Sequence, residues 1–124
     1  IGKTGLKVSS LCFGTMTFGE ASDEATSKAV YSACRDKGIN FFDCANVYAK
    51  GKSEEILGKL CKSHRDEVVL ATKGYFPMSE DINGRGASRF HLTKALEGSL
   101  KRLGTDYVDV YYIHHFDEDS PLEE

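Results

Sequence analysis

Short apolar runs rich in β-branched and aromatic residues alternate along this chain with longer segments whose apolar residues recur every three to four positions. No other feature of the sequence restricts the fold as much. A strand that is followed by a helix and then by another strand returns to its sheet in parallel, through a right-handed crossover. Val8 to Phe13 reads as the first strand, closed by the glycine-bracketed loop Gly14-Thr15-Met16-Thr17-Phe18-Gly19. Ile39 to Asp43 reads as the second, and Val68 to Lys73 as the third. The near-continuous run Val68-Val69-Leu70-Ala71 in the third suits a strand covered on both faces. Val108 to Ile113 reads as the fourth. Ahead of them, Gly2 to Val8 carries the turn residues of a small hairpin or capping loop.

Three helices fill the intervals. Ser22 or Asp23 can cap the first, in which Ala25, Ala29, Val30, Ala33 and Cys34 fall on one face and Gly38 supplies the left-handed stop. Ser53 can cap the second, with Glu54 and Glu55 in its first turn and Ile56, Leu57, Leu60 and Cys61 on the buried side. After a longer loop from Gly74 to Ala87, Ser88 can cap the third. There Leu92, Ala95, Leu96, Ser99, Leu100 and Leu103 keep the helical period until Gly104 closes it.

A repeated strand–helix order leaves two α/β architectures, an open doubly wound sheet and a (β/α)8 TIM barrel. Neither GxGxxG nor GxxxxGK[ST] occurs, so the phosphate loops of the open-sheet nucleotide folds are missing and the barrel gains weight. Such a barrel needs eight strands in about 250 residues. This chain of 124 residues holds four, and it stops at Glu124, where a fourth helix would begin after Ser120-Pro121. The expectation is therefore an α/β chain forming the amino-terminal half of a (β/α)8 barrel. Residues 1–124 would be the first part of a single barrel domain, and the missing carboxy-terminal half would be its partner.

Composition narrows the setting. With 40% hydrophobic and 28% charged residues the chain is neither collagen-like, low-complexity nor disordered. No apolar run approaches the ~20 residues of a membrane-spanning helix, and the opening at Ile1 has no signal-peptide pattern. A soluble, cytoplasmic protein is expected. The 16 Lys and Arg are scattered against 19 Asp and Glu, for a net charge of −3, so neither nucleic acid nor a membrane is an expected partner. Asp117, Glu118, Asp119, Glu123 and Glu124 read as a solvated acidic end. Cys12, Cys34, Cys44 and Cys61 lack metal-binding or redox spacing, so no metal is expected and the thiols read as reduced.

The functional signal lies where titratable groups meet the strand ends. Asp43 ends the second strand, Lys73 the third, His114 and His115 the fourth, and Tyr48 follows Asp43 in the loop. The carboxyl ends of parallel strands form the rim where ligands bind and chemistry is done. A Lys ammonium beside a tyrosine hydroxyl stabilises phenolate and makes the tyrosine a usable acid. Asp43 can hold that ammonium, and His114 can donate a hydrogen bond to a carbonyl oxygen. Each residue also has a plain structural role open to it: a loop cap, an ion pair, loop packing or a satisfied histidine.

The stretch Asp43-Cys44-Ala45-Asn46-Val47-Tyr48-Ala49-Lys50-Gly51-Lys52-Ser53-Glu54 resembles the aldo-keto reductase signature D-T-A-x-x-Y-G-x-G-x-S-E. Leu11 to Gly19, Thr72-Lys73 and Tyr107 to His114 agree with the same family in order and spacing, so the resemblance covers nearly the whole chain. It implies an NADPH-dependent oxidoreductase that reduces aldehydes or ketones to alcohols on a (β/α)8 barrel, with a small-molecule carbonyl substrate. By resemblance the catalytic tetrad is Asp43, Tyr48, Lys73 and His114. Tyr48 would protonate the carbonyl oxygen, tuned by Lys73 and Asp43, and His114 would orient the carbonyl. Thr15, Met16 and Asp43 would lie against the nicotinamide-ribose end of the cofactor, and Tyr48, His114 and His115 would meet the substrate. Cys44 stands where the family usually has Thr and Ala49 where it has Gly, and Leu11-Cys12-Phe13 lacks a glycine often found before the first loop. The family's main grips on the cofactor's adenosine 2′-phosphate and pyrophosphate come from later strands, so the fragment alone is not expected to be active. The pattern also resembles the NADPH-binding β-subunits of voltage-gated potassium channels, the alternative reading. Those carry Asn at the position of His114, and His there favours an ordinary reductase.

Overall fold

A computed structural model describes residues 1–121 and 123. Among the described residues strands and α-helices alternate: β1 (Phe13–Gly14), α1 (Glu24–Asp36), β2 (Phe41–Asp43), α2 (Lys52–Cys61), β3 (Val69–Gly74), α3 (Arg89–Leu103) and β4 (Val110–Ile113). The strands form one sheet in the order β1-β2-β3-β4, every neighbouring pair is parallel, and the sheet is not closed. This is the expected half-barrel order. The helix expected after Ser120-Pro121 runs onto Leu122 and Glu124, which lie outside the described residues.

Local signals predict the helix ends better than the strand starts. Asp23, not Ser22, caps α1 by accepting the Thr26 N–H at 2.7 Å, and Gly38 leaves it with φ +78°. Ser88 caps α3 by accepting the His91 N–H, and Gly104 ends it at φ +65°. The first strand is shorter than its apolar run suggests, because the Asn40 side chain takes backbone bonds at its start. Ser9 N–H donates to Asn40 Oδ1 at 2.7 Å and Asn40 N–H donates to Ser9 Oγ at 3.2 Å. Residues 2–8 accordingly form a loop rather than a hairpin.

Two expectations about faces and caps are corrected. The buried side of α1 is Ser27 and Tyr31 with half-buried Val30 and Cys34, while Ala25, Ala29 and Ala33 face out. Tyr31 decides this, because its ring packs 4.7 Å from that of Phe42 and its hydroxyl meets His64 Nε2 at 2.7 Å. An aromatic ring carries more buried area than the alanine methyls it displaces. At α2, Gly51 occupies the cap position at φ +94°, and Ser53 lies inside the first turn with its hydroxyl donating to Thr15 O at 2.7 Å.

Alternation along the strands separates two faces. Phe42 and Leu70 point to the helix side, where they join Tyr31, Cys44, Leu57, Cys61, Val68 and Leu103 in the core. Ile56, Leu57 and Cys61 of α2 are buried as expected, and Leu60 is partly so. The helices α2 and α3 approach so closely that a Cβ on Gly58 would meet the backbone of Leu103, 2.7 Å from its Cα. All four cysteines are free. No helix among the described residues is long and apolar enough to cross a membrane.

Candidate active site

The sheet register brings the strand-end residues to one face. Asp43 pairs with Gly14 and with Ala71, and Lys73 pairs with Tyr112. His114 N–H donates to Gly74 O at 2.9 Å, which extends the ladder one residue past β4. Residues two apart share a face, so Lys73, Tyr112 and His114 emerge together. With Cys12, Gly14 and Asp43 they line an open cavity of about 520 Å³.

Lys73 is the hub. Its Nζ donates to Asp43 Oδ2 at 2.6 Å, to the Cys44 carbonyl at 2.7 Å and to Tyr48 Oη at 3.2 Å. Burial pulls the ammonium down, but the hydrogen bonds to Asp43 and Tyr48 and the Asp43 charge outweigh it, leaving Lys73 above its ordinary 10.5. The lysine therefore stays charged at neutral pH. Cys44 serves it through the main chain, while the buried thiol packs 3.2 Å from Ser53 Oγ, so the departure from Thr leaves the ammonium's contact intact.

Tyr48 sits at the head of a 3-10 turn, Tyr48–Gly51, whose next residues are left-handed: Ala49 at φ +48° and Lys50 at φ +53°. The Tyr48 and His114 rings meet edge to face, 5.9 Å apart. Burial, followed by the Lys73 ammonium, holds His114 below the ordinary 6.5, so it is neutral at pH 7. Its Nδ1 is buried and has no hydrogen-bond partner among the described residues.

The remaining expected residues divide. Met16 is 61% exposed at the rim. Thr15 is turned inward and fully buried, with its hydroxyl donating to Asp43 O at 3.1 Å and its N–H donating to the same oxygen at 2.9 Å. Both bonds support Asp43. His115 is exposed, and its ring lies 5.3 Å from Tyr75 and 6.2 Å from Phe76. Phe76 also stands 5.0 Å from His114. The sequence reading missed Tyr75 and Phe76, although an aromatic pair directly after the strand carrying Lys73 was the available signal. One carboxylate ties their loop to the next: Asp117 accepts the Ala87 N–H at 2.6 Å and the Ser120 hydroxyl at 3.0 Å. Chiefly the Ala87 bond holds Asp117 below its usual range.

Among the described residues no group of three or more His, Cys, Asp or Glu side chains could hold a metal ion. The set offers a phenol that accepts a hydrogen bond from a cation, a neutral imidazole, and an open cavity lined by the lysine and the imidazole. The family model described as Aldo/keto reductase family matches residues 10–124. The chain belongs to the aldo/keto reductase family. Its fold is thus the amino-terminal half of that family's barrel, and the family comprises oxidoreductases that generally use NAD(P)H and bind small molecules.

Curated relatives agree. The chain is 45% identical over 135 residues to a Bacillus subtilis (strain 168) protein named "Uncharacterized oxidoreductase YrpG", covering 100% of this chain and 41% of that one. It is 46% identical over 128 residues to an Oryza sativa subsp. japonica protein named "Probable voltage-gated potassium channel subunit beta", covering 100% and 39%. An Arabidopsis thaliana protein of the same name is 44% identical over 128 residues, again covering 100% and 39%. The chain spans about two fifths of the length of these relatives.

Proposed function

We propose that residues 1–124 form the amino-terminal part of a single barrel domain that reduces an aldehyde or ketone to an alcohol with NADPH, in the cytoplasm. The observation that carries this reading is the single ammonium of Lys73 bonded at once to Asp43, the Cys44 carbonyl and Tyr48. When bound, NADPH supplies the hydride that adds to the carbonyl carbon. Tyr48 gives its phenolic proton to the carbonyl oxygen, and the Lys73 cation stabilises the phenolate left behind. Asp43 keeps that cation in place. His114, being neutral, orients the carbonyl by a hydrogen bond from its ring. Met16 and Asp43 would flank the nicotinamide-ribose end with Thr15 behind them, and His115, Tyr75 and Phe76 would wall the substrate. The cytoplasmic setting is supported by the four free cysteines.

The test is carbonyl-dependent NADPH oxidation by the protein that carries these residues in a complete barrel. Removal of the Tyr48 hydroxyl in Tyr48→Phe is expected to lower kcat by at least about a hundredfold. A rate that survives in Tyr48→Phe refutes the assignment. The plant relatives named as channel subunits favour a second reading, an NADPH-binding regulatory subunit. Tight NADPH binding with negligible turnover of the unmutated protein would select it.

A further inference from the structure

We infer that the ion pair of buried Glu54 with half-buried Arg102 is a positioning device for the site, fixing both the strand that carries Lys73 and the turn that carries Tyr48. Glu54 lies in the first turn of α2 and is 0% exposed. A carboxylate that far from water needs full compensation. Its Oε1 accepts the Thr72 hydroxyl at 2.5 Å, and its Oε2 accepts Arg102 Nε at 2.6 Å. Arg102 is held in turn by donating from Nη2 to Ser99 Oγ at 3.3 Å, one turn back along α3.

Each end of the pair touches one carrier of the tetrad. Thr72 is the residue before Lys73 in β3, on the opposite face of the same strand. The bond from Thr72 to Glu54 therefore pins the strand at the point where the lysine leaves it. Arg102 reaches the other carrier: a Cβ on Gly51 would stand 2.6 Å from its Cδ and 2.9 Å from its Nε. Gly51 ends the left-handed stretch that begins just after Tyr48. The guanidinium arm thus lies over the turn and limits how far Tyr48 can move from Lys73. Neither charged residue lines the cavity beside Lys73 and His114, so both act through others. A buried ion pair offers little net stability over an apolar pair of similar volume, whereas its angular demands are strict. What this pair supplies is alignment of the 3.2 Å contact between Lys73 and Tyr48.

This inference rests on the reading that Tyr48 is the proton donor, and its test separates the two. Replacing Arg102 alone leaves the buried Glu54 carboxylate unpaired and can unfold the protein, so the informative variant is the double replacement Glu54→Met with Arg102→Met, which keeps the volume apolar. Cys61→Ala, a core change in α2 away from the site, is the control for general loosening. In the complete protein, the double variant should lose at least about tenfold in kcat with KM within about twofold, while Cys61→Ala keeps both. The same samples are read by NMR for the Overhauser contact between the Lys73 side chain and the Tyr48 ring, whose centroid lies 4.9 Å from Nζ. That contact should vanish in the double variant and persist in the control. A double variant that keeps both kcat and the contact overturns the inference. If the unmutated protein reduces no carbonyl, the proposed function fails, and the ring contact alone decides the positioning role.

Discussion

Replacing Ala49 by glycine measures how much strain the Tyr48 turn holds. Ala49 adopts φ +48°, ψ +38°, within the left-handed region. A residue with a Cβ pays about 1–2 kcal/mol there, because the Cβ crowds the following carbonyl. Glycine escapes that cost but loses about 0.5–1 kcal/mol more conformational entropy on folding. The difference predicts that Ala49→Gly stabilises the fold by about 0–1.5 kcal/mol, with a midpoint near 0.8. In a complete barrel that midpoint corresponds to about 2–3 °C in Tm. Urea unfolding at constant slope gives the cleanest reading, since a shifted midpoint with an unchanged slope reports stability alone. The opposite exchange, Gly51→Ala, must lower the midpoint, because φ is +94° and the new methyl meets Arg102 Cδ at 2.6 Å. A loss of more than about 0.5 kcal/mol in Ala49→Gly would refute the strain argument, since glycine's entropy would then be unopposed by any relief.

Gly58→Ala should destabilise the protein by about 2 kcal/mol or more, despite alanine's better helix propensity, because the methyl has only the Leu103 backbone to push against; chemical denaturation checks it, and an unchanged midpoint would mean that α2 and α3 part freely. His91, nearly buried, is held below the ordinary 6.5 chiefly by desolvation. As pH falls through that value the unfolded chain gains a proton that the folded chain declines. Stability therefore drops until the folded-state value is passed. His91→Gln should remove this part of the slope as pH falls through and below the ordinary 6.5, and equal slopes in the two proteins would contradict it.

What the sequence reveals depends on how local the cause is. Ser88 and Gly104 mark α3 because a cap needs only its own turn. Asp43, Tyr48, Lys73 and His114 could be gathered in advance because strand ends in a parallel sheet share a rim. Ser53 was misread because a serine before two glutamates looks like a cap, and nothing nearby announces a partner at Thr15, 38 residues back in the chain. The same distance problem hid Arg102, which reaches Glu54 across 48 residues. The alanines of α1 misled for another reason: periodicity locates a face but does not weigh methyls against the ring of Tyr31. The start of β1 failed because a single side chain, Asn40, took over bonds that a strand would otherwise have made.

The three bonds of Lys73 also set its reactivity. An ammonium has three N–H groups and no lone pair, and here Asp43, Cys44 and Tyr48 take all three. To attack a carbonyl and form an imine, the nitrogen would have to lose a proton it holds more tightly than a free lysine does. On the proposed function, an aldehyde could therefore be bound beside this amine without being trapped by it.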